Sequence, residues 1–141
     1  MKRFIRIICL VTIFSMIAAV PAYALEQSQR ASDFFSSFKA YCYTSDSGQL
    51  AVYFKVIATG SMDELGASTV KVQRSSDGTN WSTVKTFTKD VYTQMKNTNT
   101  VMHATPLYCT KTSGYYYRAY VDFYAKNSTG TGSYDYYTAR I

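Results

Sequence analysis

The chain has 141 residues, with 15 Lys and Arg against 9 Asp and Glu for a net charge of +6; 16% of it is aromatic and only 17% charged. That balance is too hydrophobic for a disordered chain, too short for two ordinary domains and too irregular for collagen or a coiled coil. One His and 3 Cys leave little of the inventory that nucleophilic catalysis and tetrahedral metal sites draw on.

Residues 1–24 read as a secretory signal peptide. Met1-Lys2-Arg3-Phe4-Ile5-Arg6 is short and basic, residues 7–20 form an apolar run suited to a signal helix, and Ala22-Tyr23-Ala24 ends it with a small-x-small site. The run is 14 residues long, short of the roughly 18–20 needed to span a bilayer. Cleavage is expected between Ala24 and Leu25, which makes the product secreted, with no stable membrane span. Removal of 24 residues from 141 leaves 117, with 12 basic against 9 acidic residues, net +3. With no Lys/Arg cluster left, no nucleic-acid partner is expected.

Cleavage also removes Cys9, leaving Cys42 and Cys109. In an exported chain these two are expected to pair as a disulfide, which stabilises by roughly 4 kcal/mol on the chain-entropy model. Two free, buried thiols are the alternative.

Residues 25–37 are polar and aperiodic and read as a flexible N-terminal lead, with the ordered domain spanning 38–141. Period-two alternation predicts strands at 50–58, with Leu50, Val52, Phe54 and Val56 on one face, then at 69–74 and 81–87. The longest predicted strand is 115–125. Its Tyr117, Ala119, Val121 and Phe123 point one way; Tyr116, Arg118, Tyr120, Asp122 and Tyr124 point the other. A last strand at 134–141 and weaker ones at 38–44 and 100–104 complete the set. Turn residues separate them: Asp46-Ser47-Gly48, the hairpin signal Ser76-Asp77-Gly78-Thr79-Asn80, and Asn127 to Gly132. Residues 91–99 are ambiguous between a helical turn and an irregular link. About seven short strands without helical periodicity predict an all-β fold, a two-sheet antiparallel β-sandwich preceded by the signal-peptide helix.

The strand order, with Tyr117 to Val121 followed by Asn127 and Gly130, resembles fibronectin type III and immunoglobulin-like modules, although the early Pro and Trp of such modules are missing. That resemblance implies a tyrosine corner at Tyr117 or Tyr115, with the hydroxyl bonded to nearby backbone. It also puts Cys42 and Cys109 at the same pole. Residues 75–81 (SSDGTNW) resemble a single Asp-box hairpin, in which the Asp caps the turn and the Trp packs beneath it; a propeller needs several copies. More broadly, 59–68 (TGSMDELGAS), 76–81 with 84–87 (VKTF), and 114–125 (GYYYRAYVDFYA) resemble a family of small exported proteins of Gram-positive, clostridium-like bacteria. That family is a domain of unknown function, so the resemblance implies export and a single β domain but no activity.

The residues select no catalytic, cofactor or metal set. His103 has no nucleophile motif beside it and reads as a packed or surface residue. Asp63 and Glu64, in the expected loop 59–68, fall short of the six to eight oxygens that Ca²⁺ takes. A glycosidase needs two facing carboxylates, and nothing in the sequence selects a pair. The outward row Tyr116, Tyr120 and Tyr124 with Arg118 is the candidate binding face, suited to sugar rings or a protein partner. Cross-strand packing with neighbours such as Tyr53 is the structural alternative. The expectation is an exported, non-enzymatic binding or cell-surface module whose partner is an extracellular protein or a glycan. The alternatives are a carbohydrate-binding module using the tyrosine face and a small secreted hydrolase.

Overall fold

The alternation that begins at Leu50 carries on well past Ala58. In the computed structural model, which describes residues 31–141, it belongs to a single 26-residue strand. The signal peptide, its cleavage point at Ala24 and Leu25, and the first part of the N-terminal lead lie outside the described residues. The chain runs through a helical turn α1 (Ala31–Phe34), β1 (Phe35–Thr44), β2 (Leu50–Ser75), β3 (Ser82–Thr88), a 3-10 turn (Thr93–Met95), β4 (Lys96–Cys109), β5 (Tyr116–Asn127) and β6 (Gly130–Tyr137). All strand pairs are antiparallel.

The long strand β2 organises the rest. β1 pairs with its first half and β5 with its second, on one edge; β4 and then β3 line the other edge. Between Ile57 and Met62 the register against β4 shifts, because residues 58–61 oppose a single residue, Val101. Such an insertion bends and twists a strand. The sheet therefore curls, bringing the inner face of β1 over β5 and β6. Phe38 stacks 5.1 Å from Phe123 and 4.4 Å from Tyr134, and Phe54 meets Phe123 at 6.2 Å. Leu50, Val52, Val56, Val70, Val72, Ala119 and Val121 fill the space between, all fully buried.

The predicted loop 59–68 is thus strand. Met62, Leu65 and Ala67 are buried, and Glu64, Leu65 and Gly66 pair with β4 and β5 at once. Gly66 permits this: a Cβ there would collide with the backbone at Met95 and Lys96. The strand expected from Phe38 starts at Phe35 instead. Phe34 and Phe35 are core side chains, and Phe34 lies where Gly132 has no Cβ. Beyond β6 the chain keeps contact with β5. Thr138 N–H donates to the Ala119 carbonyl, and Tyr117 and Ile141 exchange backbone hydrogen bonds at 3.0 Å.

The expected disulfide is absent: Cys42 and Cys109 are free thiols. Cys42 pairs with Val52 from β1, and Cys109 pairs with Leu50 from β4, so β2 runs between them. Strands lie about 4.8 Å apart, which separates the two by roughly 10 Å, beyond the reach of about 7 Å that a disulfide allows. The expected shared pole is correct only to the extent that both flank the start of β2. Cys42 is buried and in contact with the Thr138 hydroxyl at 3.5 Å.

Candidate functional site

β5 pairs with β2 on one side and β6 on the other, so its outward side chains sit mid-sheet. Tyr116, Tyr120 and Tyr124 are spaced by four residues, or about 13 Å, and do not touch one another. Each meets its own cation instead: Arg140 lies 5.1 Å from the Tyr116 ring, Lys71 5.5 Å from Tyr120 and Lys89 5.1 Å from Tyr124. The expected row along one strand is therefore three separate cation–π pairs.

The continuous feature runs across strands. The Arg118 guanidinium lies 4.3 Å from the Trp81 ring and 5.0 Å from the Tyr137 ring, and its Nε donates to Gln73 Oε1 at 2.8 Å. Tyr137 packs on Tyr120 at 5.2 Å between centroids. The resulting stripe is Trp81–Arg118–Tyr137–Tyr120–Lys71. Tyr137 makes both contacts while remaining 54% exposed.

The turn that delivers Trp81 is strongly determined. One Asp77 carboxylate oxygen accepts the backbone N–H groups of Thr79 and Asn80 at 2.8 Å each, and the other accepts the Asn80 amide at 2.7 Å. The Ser75 hydroxyl donates to Asp77 at 2.7 Å. These donors hold the Asp77 carboxyl far below its usual range. The Asp caps the turn as the Asp-box resemblance implies, and Trp81 lies against Arg118.

Beside the stripe the structure selects a carboxylate pair. Asp122 and Asp135 are register partners on the same outer face. Tyr120 donates its phenol hydrogen to Asp135 at 2.7 Å, which raises the Tyr120 pKa. One Asp122 oxygen takes the Ser68 hydroxyl, and the other is buried without a partner. Burial raises the Asp122 pKa, and the charge on Asp135 adds to it against the pull of Ser68. The pair sits on the outer face, with Asp135 exposed and Asp122 half-buried.

The remaining sequence candidates have structural roles. Tyr53 is on a different outer face, 5.1 Å from Tyr41, and does not reach the β5 tyrosines. His103 Nε2–H donates to the Gln94 carbonyl at 2.8 Å, and its ring packs edge-on against Phe54; burial lowers its pKa. Glu64 pairs with Lys96 at 3.0 Å, which lowers the Glu64 pKa. Tyr117, not Tyr115, binds back to the backbone: its hydroxyl accepts the Thr112 N–H at 2.8 Å and donates to the Thr112 carbonyl at 3.3 Å. No cluster of three or more His, Cys, Asp or Glu exists among the described residues. Among the same residues, no helix is long and apolar enough to cross a membrane.

Sequence reasoning missed Tyr137, Asp135 and Lys71 as members of the face and gave Trp81 to the Asp-box hairpin and the strand 81–87, not to the face. The signal for the first two was the hairpin: Asn127 pairs with Gly130 across a two-residue loop, and that register alone sets Tyr137 opposite Tyr120 and Asp135 opposite Asp122.

No protein-family model matches the chain, and no curated protein or solved structure is significantly similar to it.

Proposed function

We propose that this chain is an exported, non-enzymatic binding module that recognises carbohydrate through the outer face of β2, β5 and β6. The observation that carries this reading is the Trp81–Arg118–Tyr137–Tyr120 stripe, in which three aromatic rings are joined through the Arg118 guanidinium and direct ring packing across the turn before β3, β5 and β6. A sugar presents an apolar ring face and a rim of hydroxyls. Exposed aromatic rings bury the first, while Gln73, Lys71 and the Asp135 carboxylate are placed to exchange hydrogen bonds with the second. Because Arg118 is already braced by Gln73 and two rings, little side-chain entropy remains to be lost on binding. The curl that lays β1 over β5 and β6 fits the two-layer sandwich of immunoglobulin-like modules, and we carry that architecture as part of the proposal. Export rests on residues 1–24, and the resemblance to small exported clostridium-like proteins agrees with it.

The experiment is retention on a panel of insoluble and soluble polysaccharides, comparing the wild type with Tyr137→Ala and Tyr124→Ala. Tyr137 is half-exposed and absent from the core, so its truncation leaves the fold intact. Loss of such an anchor weakens binding by about 1–2 kcal/mol, or roughly five- to thirtyfold, whereas Tyr124→Ala changes it little. Absence of retention on every polysaccharide contradicts the proposal, as does equal retention of all three proteins.

A further inference from the structure

A second site lies at the end of the curled sheet, away from the aromatic stripe. β3 pairs with the last stretch of β2 and β4 with its first, and the curl brings Lys85 of β3 and Cys109 of β4 to one groove of about 320 Å³, lined also by Arg74, Tyr108, Thr110 and Tyr117 among others. That volume is within the range of small-molecule sites. Its charge is one-sided: two cations and no carboxylate line it. The ion pairs among the described residues are Lys89–Asp90 and Lys96–Glu64, so neither Arg74 nor Lys85 has a carboxylate partner within ion-pair distance. Aromatic rings position both cations. Arg74 stacks 4.6 Å from Tyr115, and Lys85 lies 5.5 Å from Phe87 and 5.6 Å from Tyr92. Lys85 pairs with Val72, a residue of the inner face, which places it at the mouth of the interior. Tyr117, whose hydroxyl is fixed by Thr112, also lines the groove.

We infer that this groove binds a small organic anion, with the negative group between Arg74 and Lys85 and its apolar body against Tyr108 and the Cys109 thiol. Two unpaired cations at a concave, partly desolvated surface attract an anion more strongly than the same charges on a flat face. The Thr110 and Thr112 hydroxyls line the same groove and serve the same group.

Cys109 is a built-in reporter. It lines the groove, whereas Cys42 is buried, so in the native protein iodoacetamide reaches Cys109 first. The test follows carbamidomethylation of Cys109 by mass spectrometry with increasing phenyl phosphate at constant ionic strength. It uses wild type, Lys85→Gln and Arg74→Gln, and each fold is checked by circular dichroism. Saturable protection of Cys109 in the wild type is expected, with the half-protecting concentration rising about fivefold or more in Lys85→Gln. Lys85 is exposed, so that variant keeps the question open if Arg74→Gln does not fold. No saturable protection, or protection unchanged in Lys85→Gln, overturns the inference.

Discussion

Replacing Asp122 with Asn should stabilise the protein near neutral pH. Asp122 and Asp135 face each other across β5 and β6, and one Asp122 oxygen is buried with no hydrogen-bond partner. Side chains of register partners lie about 5 Å apart. Two unit charges at that distance repel by about 3 kcal/mol at an effective dielectric of 20 and by about 0.8 kcal/mol in bulk water. Asp135 is exposed, so solvent screening places the penalty near the lower value, at about 1 kcal/mol. The substituted amide keeps an acceptor for the Ser68 hydroxyl and removes the buried charge that faces Asp135 across the two strands. The sign with pH follows from the raised Asp122 pKa. A carboxyl whose folded pKa lies above its unfolded value binds more protons when folded. Stability is therefore highest below the unfolded pKa and falls as pH rises towards the folded one. The Asp122→Asn variant lacks that loss. Urea denaturation should show it more stable by about 1 kcal/mol at about pH 7, a melting-point gain of about 4 °C, with the advantage vanishing below about pH 3.5. A destabilised variant, or an advantage that does not change with pH, would refute this account of the carboxylate pair.

Three further outcomes follow from the packing. Tyr117→Phe removes a hydroxyl bonded twice to Thr112 and should destabilise by about 1 kcal/mol in chemical denaturation; an unchanged midpoint would mean that water replaces both bonds without loss. Gly66→Ala drives a methyl into the Met95–Lys96 backbone, and Gly132→Ala drives one into the buried ring of Phe34. Each should cost about 1–3 kcal/mol, and a Gly66→Ala variant that melts like the wild type would contradict the close approach of β4 to β2. Unfolded without reductant, the protein should accept an alkylating label at both Cys42 and Cys109; an unlabelled pair, lighter by two hydrogens in intact mass, would show a disulfide and contradict the strand order β1-β2-β4.

Fold class was legible because alternation is a local signal, and Leu50 to Val56 and Tyr117 to Phe123 bury the faces that their period of two assigns. The continuity of β2 was hidden. Residues 59–68 contain two glycines and adjacent acids, which look like a turn, yet Gly66 serves a close backbone approach and Glu64 is neutralised by Lys96 on the next strand. Both facts depend on residues about thirty positions away, which no local pattern reports. The same limit defeated the disulfide: compartment and count favoured pairing, while the strand inserted between the two cysteines is a matter of topology. The binding face was half visible. Alternation put Tyr116, Arg118, Tyr120 and Tyr124 outward, but the stripe joins strands, and its members on β2, on β6 and in the turn before β3 required the tertiary arrangement.

The glycan reading has a direct probe, because Trp81 is the single tryptophan of the chain and stands at one end of the stripe against Arg118. Selectively excited tryptophan fluorescence, followed while an oligosaccharide from a retained polysaccharide is added, should change saturably. The same titration of Tyr137→Ala should require at least about fivefold more sugar. A polysaccharide that binds the protein while leaving Trp81 emission unchanged would place its site elsewhere and contradict the assignment of the outer face.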